Sequence, residues 1–163
     1  MSSAKQPEGA DTLLGKVETG TAIIGIIGMG YVGLPLSRAC HAAGFSVIGF
    51  DIDPAKVVQL NAGENYLKHL GESFVRKMRN KGRFEATGDF ARLEEADAIL
   101  VCVPTPLGDH REPDLQYVET SADTIAESLR KGQLFILEST TFPGTTRDVM
   151  QPRLAKKGLV CGK

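Results

Sequence analysis

Short apolar runs alternate with amphipathic segments along most of the chain. The apolar runs occupy residues 22–27, 46–50, 84–86, 98–103 and 134–137, and each is a candidate buried strand. Helical periodicity is found at residues 11–18, 31–43, 54–61, 71–79, 89–95, 117–129 and 145–155. This alternation is typical of βαβ units around a parallel sheet. It predicts one α/β domain over residues 11–163, after a lead at residues 1–10 for which we expect disorder.

Two helix boundaries are indicated by the residues that flank them. Gly44 follows the segment 31–43, at a position where a residue without Cβ can take the left-handed conformation that ends a helix. Asp53 followed by Pro54 is typical of an N-cap with proline in the first helical turn. We therefore expect Asp53 to cap its helix rather than to bind a ligand.

Composition excludes several classes of partner. The formal net charge is −1 with both signs interspersed, which favours neither nucleic acid nor a membrane surface as a partner. No apolar run approaches the roughly 20 residues of a membrane span. Cys40, Cys102 and Cys161 are far apart and lack a C-x-x-C spacing, so we expect no disulfide framework and no metal site. These features are typical of a cytoplasmic protein with a small-molecule ligand.

A glycine motif carries the clearest chemical signal. It reads G-x-G-x-x-G, follows the first apolar run directly and opens a helical segment: Gly28-Met29-Gly30-Tyr31-Val32-Gly33. Gly28 permits a tight turn, Gly30 lets the backbone approach a pyrophosphate, and Gly33 allows the helix to pack closely on the sheet. The N–H groups that begin the helix would face the phosphates. The motif predicts a Rossmann-type doubly wound parallel sheet that binds a dinucleotide.

An acidic residue refines the choice of cofactor. Asp51 ends the second apolar run, 18 residues after Gly33, where this fold uses a carboxylate to bind the adenosine ribose hydroxyls. The carboxylate would repel a 2′-phosphate, so we expect NAD rather than NADP. The alternative is that the glycines only form a turn and that Asp51 is a solvated strand end.

Two polar segments follow later apolar runs, and both are candidate parts of the site. Three prolines between residues 104 and 114 exclude regular structure there and predict a loop at a strand end. The segment 138–146 holds Ser139 and Thr140, whose hydroxyls could bind a cofactor or orient a water. The alternative is that Thr145 or Thr146 caps a helix. We interpret His41 as a helix residue, His110 as a loop residue and Cys102 as a small core residue.

Together these residues resemble the UDP-glucose/GDP-mannose dehydrogenase family of nucleotide-sugar 6-dehydrogenases. The resemblance runs from about residue 13 to the end of the chain and rests on residues 26–36, on 50–53 with Lys56 and Val57, on Val-Pro-Thr-Pro at 103–106 and on Glu-Ser-Thr at 138–140. The segment 111–115, Arg-Glu-Pro-Asp-Leu, looks most like the bacterial UDP-N-acetylglucosamine 6-dehydrogenases that supply uronic acids for surface polysaccharides.

The resemblance implies an NAD-dependent double oxidation, in which the C6 alcohol of a UDP-sugar becomes a carboxylate, in a parent protein that is a homo-oligomer. Thr140 matches the family's threonine that positions a water and the reacting centre. The implied cofactor contacts are Gly28, Met29, Gly30, Tyr31, Val32, Gly33, Asp51, Ile52, Lys56, Val103, Pro104, Thr105, Ser139 and Thr140.

The family's nucleophilic cysteine, substrate-clamping lysine and asparagine, and catalytic glutamate have no match here, and none of the three cysteines fits. We therefore expect the N-terminal NAD-binding domain of such an enzyme, without the substrate domain, to bind NAD but not to oxidise a nucleotide sugar by itself. UDP-glucose or UDP-N-acetylmannosamine is an alternative substrate, and an NAD-binding module without activity is an alternative function. A β-hydroxyacid-type dehydrogenase would not explain residues 103–106 and 111–115.

Overall fold

Five strands form one parallel sheet in the computed structural model, which describes residues 12–67, 70, 71, 73–106 and 113–158. The strands are β1 (Ile23–Ile27), β2 (Ser46–Phe50), β3 (Phe84–Thr87), β4 (Ala98–Val101) and β5 (Leu134–Leu137). Their order across the sheet is β3-β2-β1-β4-β5, and every neighbouring pair is parallel. The predicted Rossmann-type doubly wound sheet is confirmed.

Helices cover both faces of the sheet. They are α1 (Leu13–Glu18), α2 (Gly33–Ala42), α3 (Pro54–Asn61), α4 (Phe74–Asn80), α5 (Gln116–Ser128) and α6 (Gln151–Leu154). As predicted, Asp53 caps α3, accepting a hydrogen bond from the N–H of Ala55 at 2.9 Å. Gly44 follows α2 with a φ of 106°. The lead at residues 1–10 lies outside the described residues.

Two apolar clusters fill the space between the sheet and its helices. Alternate side chains of a strand point to opposite faces, so β1 contributes Ile24 and Ile26 to one cluster and Ile27 to the other. The first cluster includes Leu34 of α2 and Met78 of α4, and the second is built from α5 and the segments that flank it. Because both faces are covered, β1, β2 and β4 are nearly continuous apolar runs, which is why they are recognisable in the sequence.

Three predicted elements differ from the structure. The segment 89–95, predicted as α-helix, contains a 3₁₀-helix at Phe90–Glu95. This connection runs from β3 past β2 and β1 to β4, and a 3₁₀-helix rises about 2.0 Å per residue against about 1.5 Å for an α-helix. The strand predicted to reach residue 103 ends at Val101, shortly before two prolines that cannot donate to a ladder. The helix predicted at 145–155 begins with a π-helical turn, Thr146–Met150.

The amino ends of the strands are held together by Asp97, which is 4% exposed. Its carboxylate accepts hydrogen bonds from Lys16 Nζ at 2.7 Å, Arg130 Nη2 at 2.8 Å and the N–H of Ile23 at 3.0 Å. Burial alone would raise the pKa of Asp97, but these hydrogen bonds outweigh it and hold the pKa below its ordinary value. Asp97 thus anchors α1 at the edge of the sheet opposite the glycine motif.

Candidate cofactor-binding site

The site candidates gather at the carboxyl edge of the sheet. Parallel strands end at the same edge, so the segments after β1, β2, β4 and β5 lie side by side. The chain moves outward from β1 through β2 to β3 and then returns to the other side of β1 with β4. Ligands of such sheets bind where the strand order reverses, beyond the carboxyl ends of the strands. The glycine motif follows β1, directly at this reversal.

The three glycines of the motif have different surroundings. Gly28 has a φ of 90°, and a Cβ there would lie 2.5 Å from the carbonyl oxygen of Cys102. A Cβ on Gly33 would lie 1.9 Å from the carbonyl oxygen of Gly28. A Cβ on Gly30 would meet no atom within 4 Å. The fold therefore requires glycine at positions 28 and 33, whereas position 30 borders open space.

This open space is suited to the pyrophosphate of a dinucleotide. It borders the start of α2, where no side chain caps the helix within the described part of the chain. N–H groups at a helix start attract phosphate oxygens through hydrogen bonds and the helix dipole. Tyr31 and Val32 are 77% and 52% exposed, so this segment lies at the surface of the protein. The residues present thus fit a bound dinucleotide at residues 30–33.

Met29 fixes the glycine motif to the sheet. Its side chain is fully buried, and it packs so closely on β2 that a Cβ at Gly49 would lie 2.6 Å from its sulfur. Its N–H donates to Asp51 Oδ2 at 2.9 Å, and its carbonyl accepts a hydrogen bond from the hydroxyl of Tyr66. The Met29 side chain is therefore held away from the cofactor cleft.

Asp51 lies at the end of β2 and is 6% exposed. Besides the Met29 N–H, its carboxylate accepts from the N–H of Asp53 at 3.0 Å, and Lys56 Nζ lies 3.3 Å from Oδ2. A carboxylate has about four acceptor positions, so these three contacts leave one open for a ribose hydroxyl. Ile52, the next residue, is 82% exposed and offers an apolar surface beside it. The structure thus brings Asp51 and Lys56 together beside the glycine motif.

Tyr66 is a member of the site that the sequence did not indicate. It lies after α3, in a segment without periodicity, and it is half-buried against the first apolar cluster. Burial raises its pKa, and the negative charges of Asp51 and Asp53 raise it further. Tyr66 therefore stays protonated and remains a donor to the Met29 carbonyl. A motif search could not find it, because its partner is a backbone atom 37 residues away.

The segments after β4 and β5 lie beside the glycine motif at the same edge of the sheet, with Cys102 and Val103 close to Gly28. The Ser139 hydroxyl donates to the carbonyl of Val103 at 2.8 Å, which ties the two segments together. Thr105 is half-buried, whereas Pro104 and Thr140 are exposed. Thr145 occupies the N-cap position of the following helix, but its side chain forms no capping hydrogen bond, and its hydroxyl donates to the carbonyl of Phe142 at 2.8 Å. Thr140 thus places an exposed hydroxyl group next to Ser139, the residue whose hydrogen bond joins the two segments.

Cys102 is the cysteine that lies at this edge among the described residues. Cys102 is buried, and burial, followed by the charge of Glu138, raises the pKa of its thiol to about 12. Within the described ranges no group of three or more histidine, cysteine or acidic residues could hold a metal ion. Cys102 is a core residue, as predicted, while His69, His110, Arg111 and Cys161 lie outside the described residues.

No described helix combines the length and apolar character that crossing a bilayer requires. His41 is a residue of α2, as predicted.

Comparisons with known proteins agree with this geometry. The family model of the UDP-glucose/GDP-mannose dehydrogenase family, NAD binding domain, matches residues 22–160. The UDP-N-acetyl-D-mannosamine dehydrogenase of Escherichia coli K12 is 42% identical over 131 residues, which cover 80% of this chain and 30% of that protein. The protein CapL of Staphylococcus aureus is 35% identical over 141 residues, covering 86% and 32%.

Solved structures show the same relationship. The NDP-N-acetyl-D-galactosaminuronic acid dehydrogenase of Methanosarcina mazei Go1 superposes with a TM-score of 0.80 at 32% identity, covering 93% of this chain and 35% of that one. The chain thus spans about a third of the length of the relatives it matches. Family members are NAD-dependent nucleotide-sugar dehydrogenases. By sequence and by structure, this chain belongs to the UDP-glucose/GDP-mannose dehydrogenase family, and it corresponds to the NAD-binding domain of that family.

Proposed function

We propose that the chain binds NAD across the reversal point of its sheet, with the adenosine half over β2 and the nicotinamide half over β4 and β5. The observation that carries the proposal is the open space at Gly30 between two glycines that the fold requires. In this arrangement the backbone of Gly30, Tyr31 and Val32 binds the pyrophosphate. Asp51 and Lys56 bind the adenosine ribose, and Ile52 lies against the adenine.

The nicotinamide half is assigned to the segments after β4 and β5. Val103, Pro104 and Thr105 line this side of the cleft, and Ser139 holds Val103 in place through the 2.8 Å hydrogen bond. Thr140, which is exposed at the same edge, is the residue that we assign to the reacting centre. NAD supplies a hydride acceptor when it is bound, and the role of this chain's residues is to fix its position.

We expect NAD to bind at least tenfold more tightly than NADP. A 2′-phosphate would lie against the buried Asp51 carboxylate, which already accepts two backbone hydrogen bonds and cannot move away. In Asp51→Ala, NAD affinity should fall about 10- to 100-fold, because a hydrogen bond to a charged group contributes about 1.5 to 3 kcal/mol. Calorimetric titration of both cofactors measures each difference.

Asp53→Ala is the matched control for this prediction. It removes a carboxylate two residues away and costs α3 its cap, about 1 kcal/mol of stability, but we expect it to leave NAD affinity within twofold. Equal binding of NADP to the unchanged protein, or unchanged NAD binding in Asp51→Ala, would refute the assignment of Asp51.

We further propose that the domain serves a cytoplasmic, homo-oligomeric enzyme that oxidises the C6 hydroxyl of UDP-N-acetylglucosamine to a carboxylate for surface polysaccharide synthesis. Each turnover consumes one water and two NAD, releasing two NADH and three protons. The resemblance of residues 111–115 favours this substrate. The 42% identity to a protein named UDP-N-acetyl-D-mannosamine dehydrogenase supports the epimer as the second candidate.

An assay of the full-length gene product that carries this domain separates these candidates. NADH formation should be fastest with UDP-N-acetylglucosamine, by at least tenfold in kcat/KM over UDP-N-acetylmannosamine and UDP-glucose. A higher kcat/KM with UDP-N-acetylmannosamine would identify that sugar as the substrate instead. Absence of turnover with all three sugars, in a protein that still binds NAD, would support a binding module without activity. The high pKa of Cys102 predicts that Cys102→Ser leaves turnover unchanged.

A further inference from the structure

A second pocket lies at the far end of α2 from the glycine motif. It is a cavity of about 330 Å³ between the carboxyl-terminal half of α2 and helix α4. α2 has 10 residues and is therefore about 15 Å long, which separates this pocket from the cofactor cleft. The residues that matter for its chemistry are Arg38, His41, Phe74, Lys77, Met78 and Lys81.

Cations dominate the rim of this pocket. Arg38, Lys77 and Lys81 are exposed, and none of them forms an ion pair with any residue that the structure describes. Seven other basic side chains are paired with carboxylates, namely Lys16, Lys56, Arg92, Arg130, Arg147, Arg153 and Lys156, whereas Arg76, Arg79, Arg83 and Lys131 also have no ion pair among the described residues. The described residues that line the cavity include no carboxylate. The rim therefore offers positive charge that the described protein does not neutralise.

The side chain of His41 is a second, independent observation that points to a ligand in this pocket. It is 4% exposed and lines the cavity, and its Nε2 forms no hydrogen bond to a described residue. A buried polar atom without a partner costs about 1 to 3 kcal/mol, so such atoms are rare in folded proteins unless a ligand or water completes them. Burial lowers the pKa of His41, and the nearby positive charges of Arg83 and Lys81 lower it further.

The inner wall of the pocket is apolar. Phe74 and Met78 are buried in the first apolar cluster and line the cavity with their remaining surface. The Arg38 guanidinium carbon lies 5.8 Å from the centre of the Phe74 ring, a cation–π contact that holds this cation at the rim. A ligand that fits must therefore combine an anionic group with a less polar body.

We propose that this pocket binds a small phosphate ester of about mononucleotide size. The phosphate lies among Arg38, Lys77 and Lys81, the imidazole of His41 completes its hydrogen bonds, and the organic part rests on Phe74 and Met78. The cavity volume is at the lower end of the range for small-molecule sites, about 300 to 1,000 Å³, which suits a single nucleoside or sugar phosphate and excludes a second dinucleotide.

Titration of the ¹⁵N-labelled chain, with and without NAD, tests the proposal by NMR. The probes are inorganic phosphate, uridine monophosphate and uridine. We expect the two phosphates to shift the His41 imidazole nitrogen and the amides of α4, uridine to shift neither, and NAD to leave these effects in place. The binding is then separate from the cofactor site, whether or not the cofactor is NAD.

Charge-removing variants identify the site. The double variant Arg38→Gln/Lys77→Gln removes both charges while keeping polar side chains, and it should weaken the binding of uridine monophosphate at least tenfold. Arg76→Gln is the matched control, because Arg76 is an exposed cation on α4 that does not line the cavity, and it should change the affinity less than twofold. The proposal is overturned if His41 does not respond to phosphate, if uridine shifts it equally, or if Arg76→Gln weakens binding as much as the double variant.

Discussion

Gly30→Val is expected to abolish NAD binding while leaving the fold intact. A Cβ at this position meets no atom within 4 Å, and the φ of Gly30 is outside the left-handed region, so an L side chain is tolerated by the backbone. The valine methyl groups would then fill the space that the pyrophosphate needs. We expect at least a 100-fold loss of affinity, or about 2.7 kcal/mol, with a melting temperature within about 2 °C of the unchanged protein.

Calorimetry measures the NAD affinity, and thermal melting of the same samples measures the stability. Gly30→Ala is the graded control, since its single methyl group occupies less of the open space and should weaken NAD less than valine does. If Gly30→Val bound NAD with normal affinity and melted normally, the glycine motif would be only a turn, and the cofactor would have to lie elsewhere.

Gly33→Ala is expected to have the opposite effect, destabilising the whole domain rather than selectively emptying the site. Its Cβ would lie 1.9 Å from the carbonyl oxygen of Gly28 and 3.2 Å from the Ile26 side chain. Backbone atoms cannot yield as a flexible side chain does, so α2 would have to move away from the sheet. We expect a loss of more than about 3 kcal/mol and a fall of about 10 °C in melting temperature.

Circular dichroism and denaturant unfolding measure this loss, with Gly30→Ala as the control for adding one methyl group three residues earlier in the same motif. We expect Gly33→Ala to bind NAD weakly, and we expect this loss of affinity to accompany the loss of folding stability. A Gly33→Ala protein of normal stability would show that helix and turn can separate at this point, contrary to the close packing seen in the structure.

The variants Gly30→Val and Gly33→Ala distinguish two roles of glycine within one motif, ligand binding and folding. Glycines at 28 and 33 serve the fold, because their missing Cβ atoms allow backbone segments to touch. The glycine at 30 borders open space, and we propose that its missing side chain leaves room for the ligand. A sequence pattern treats all three alike, and the assignment of each to fold or ligand requires the coordinates of their neighbours.

Much of the fold could be predicted because its signals are local. Strands buried on both faces are apolar runs, so the positions of β1, β2 and β4 are visible without tertiary information. The N-cap at Asp53 depends on a hydrogen bond two residues away. The 3₁₀-helix at Phe90–Glu95 could not be predicted in this way, because its form depends on the distance between β3 and β4.

By itself, the sequence determined the α/β class, the order of elements, the glycine motif and the acid at the end of β2, since each depends on neighbouring residues or on a short fixed spacing. Only the tertiary structure decided which groups meet across long separations. The hydrogen bonds from Tyr66 to the Met29 carbonyl and from Ser139 to the Val103 carbonyl are examples. Such contacts arise when packing brings distant backbone and side-chain atoms together, and no periodicity along the chain encodes them.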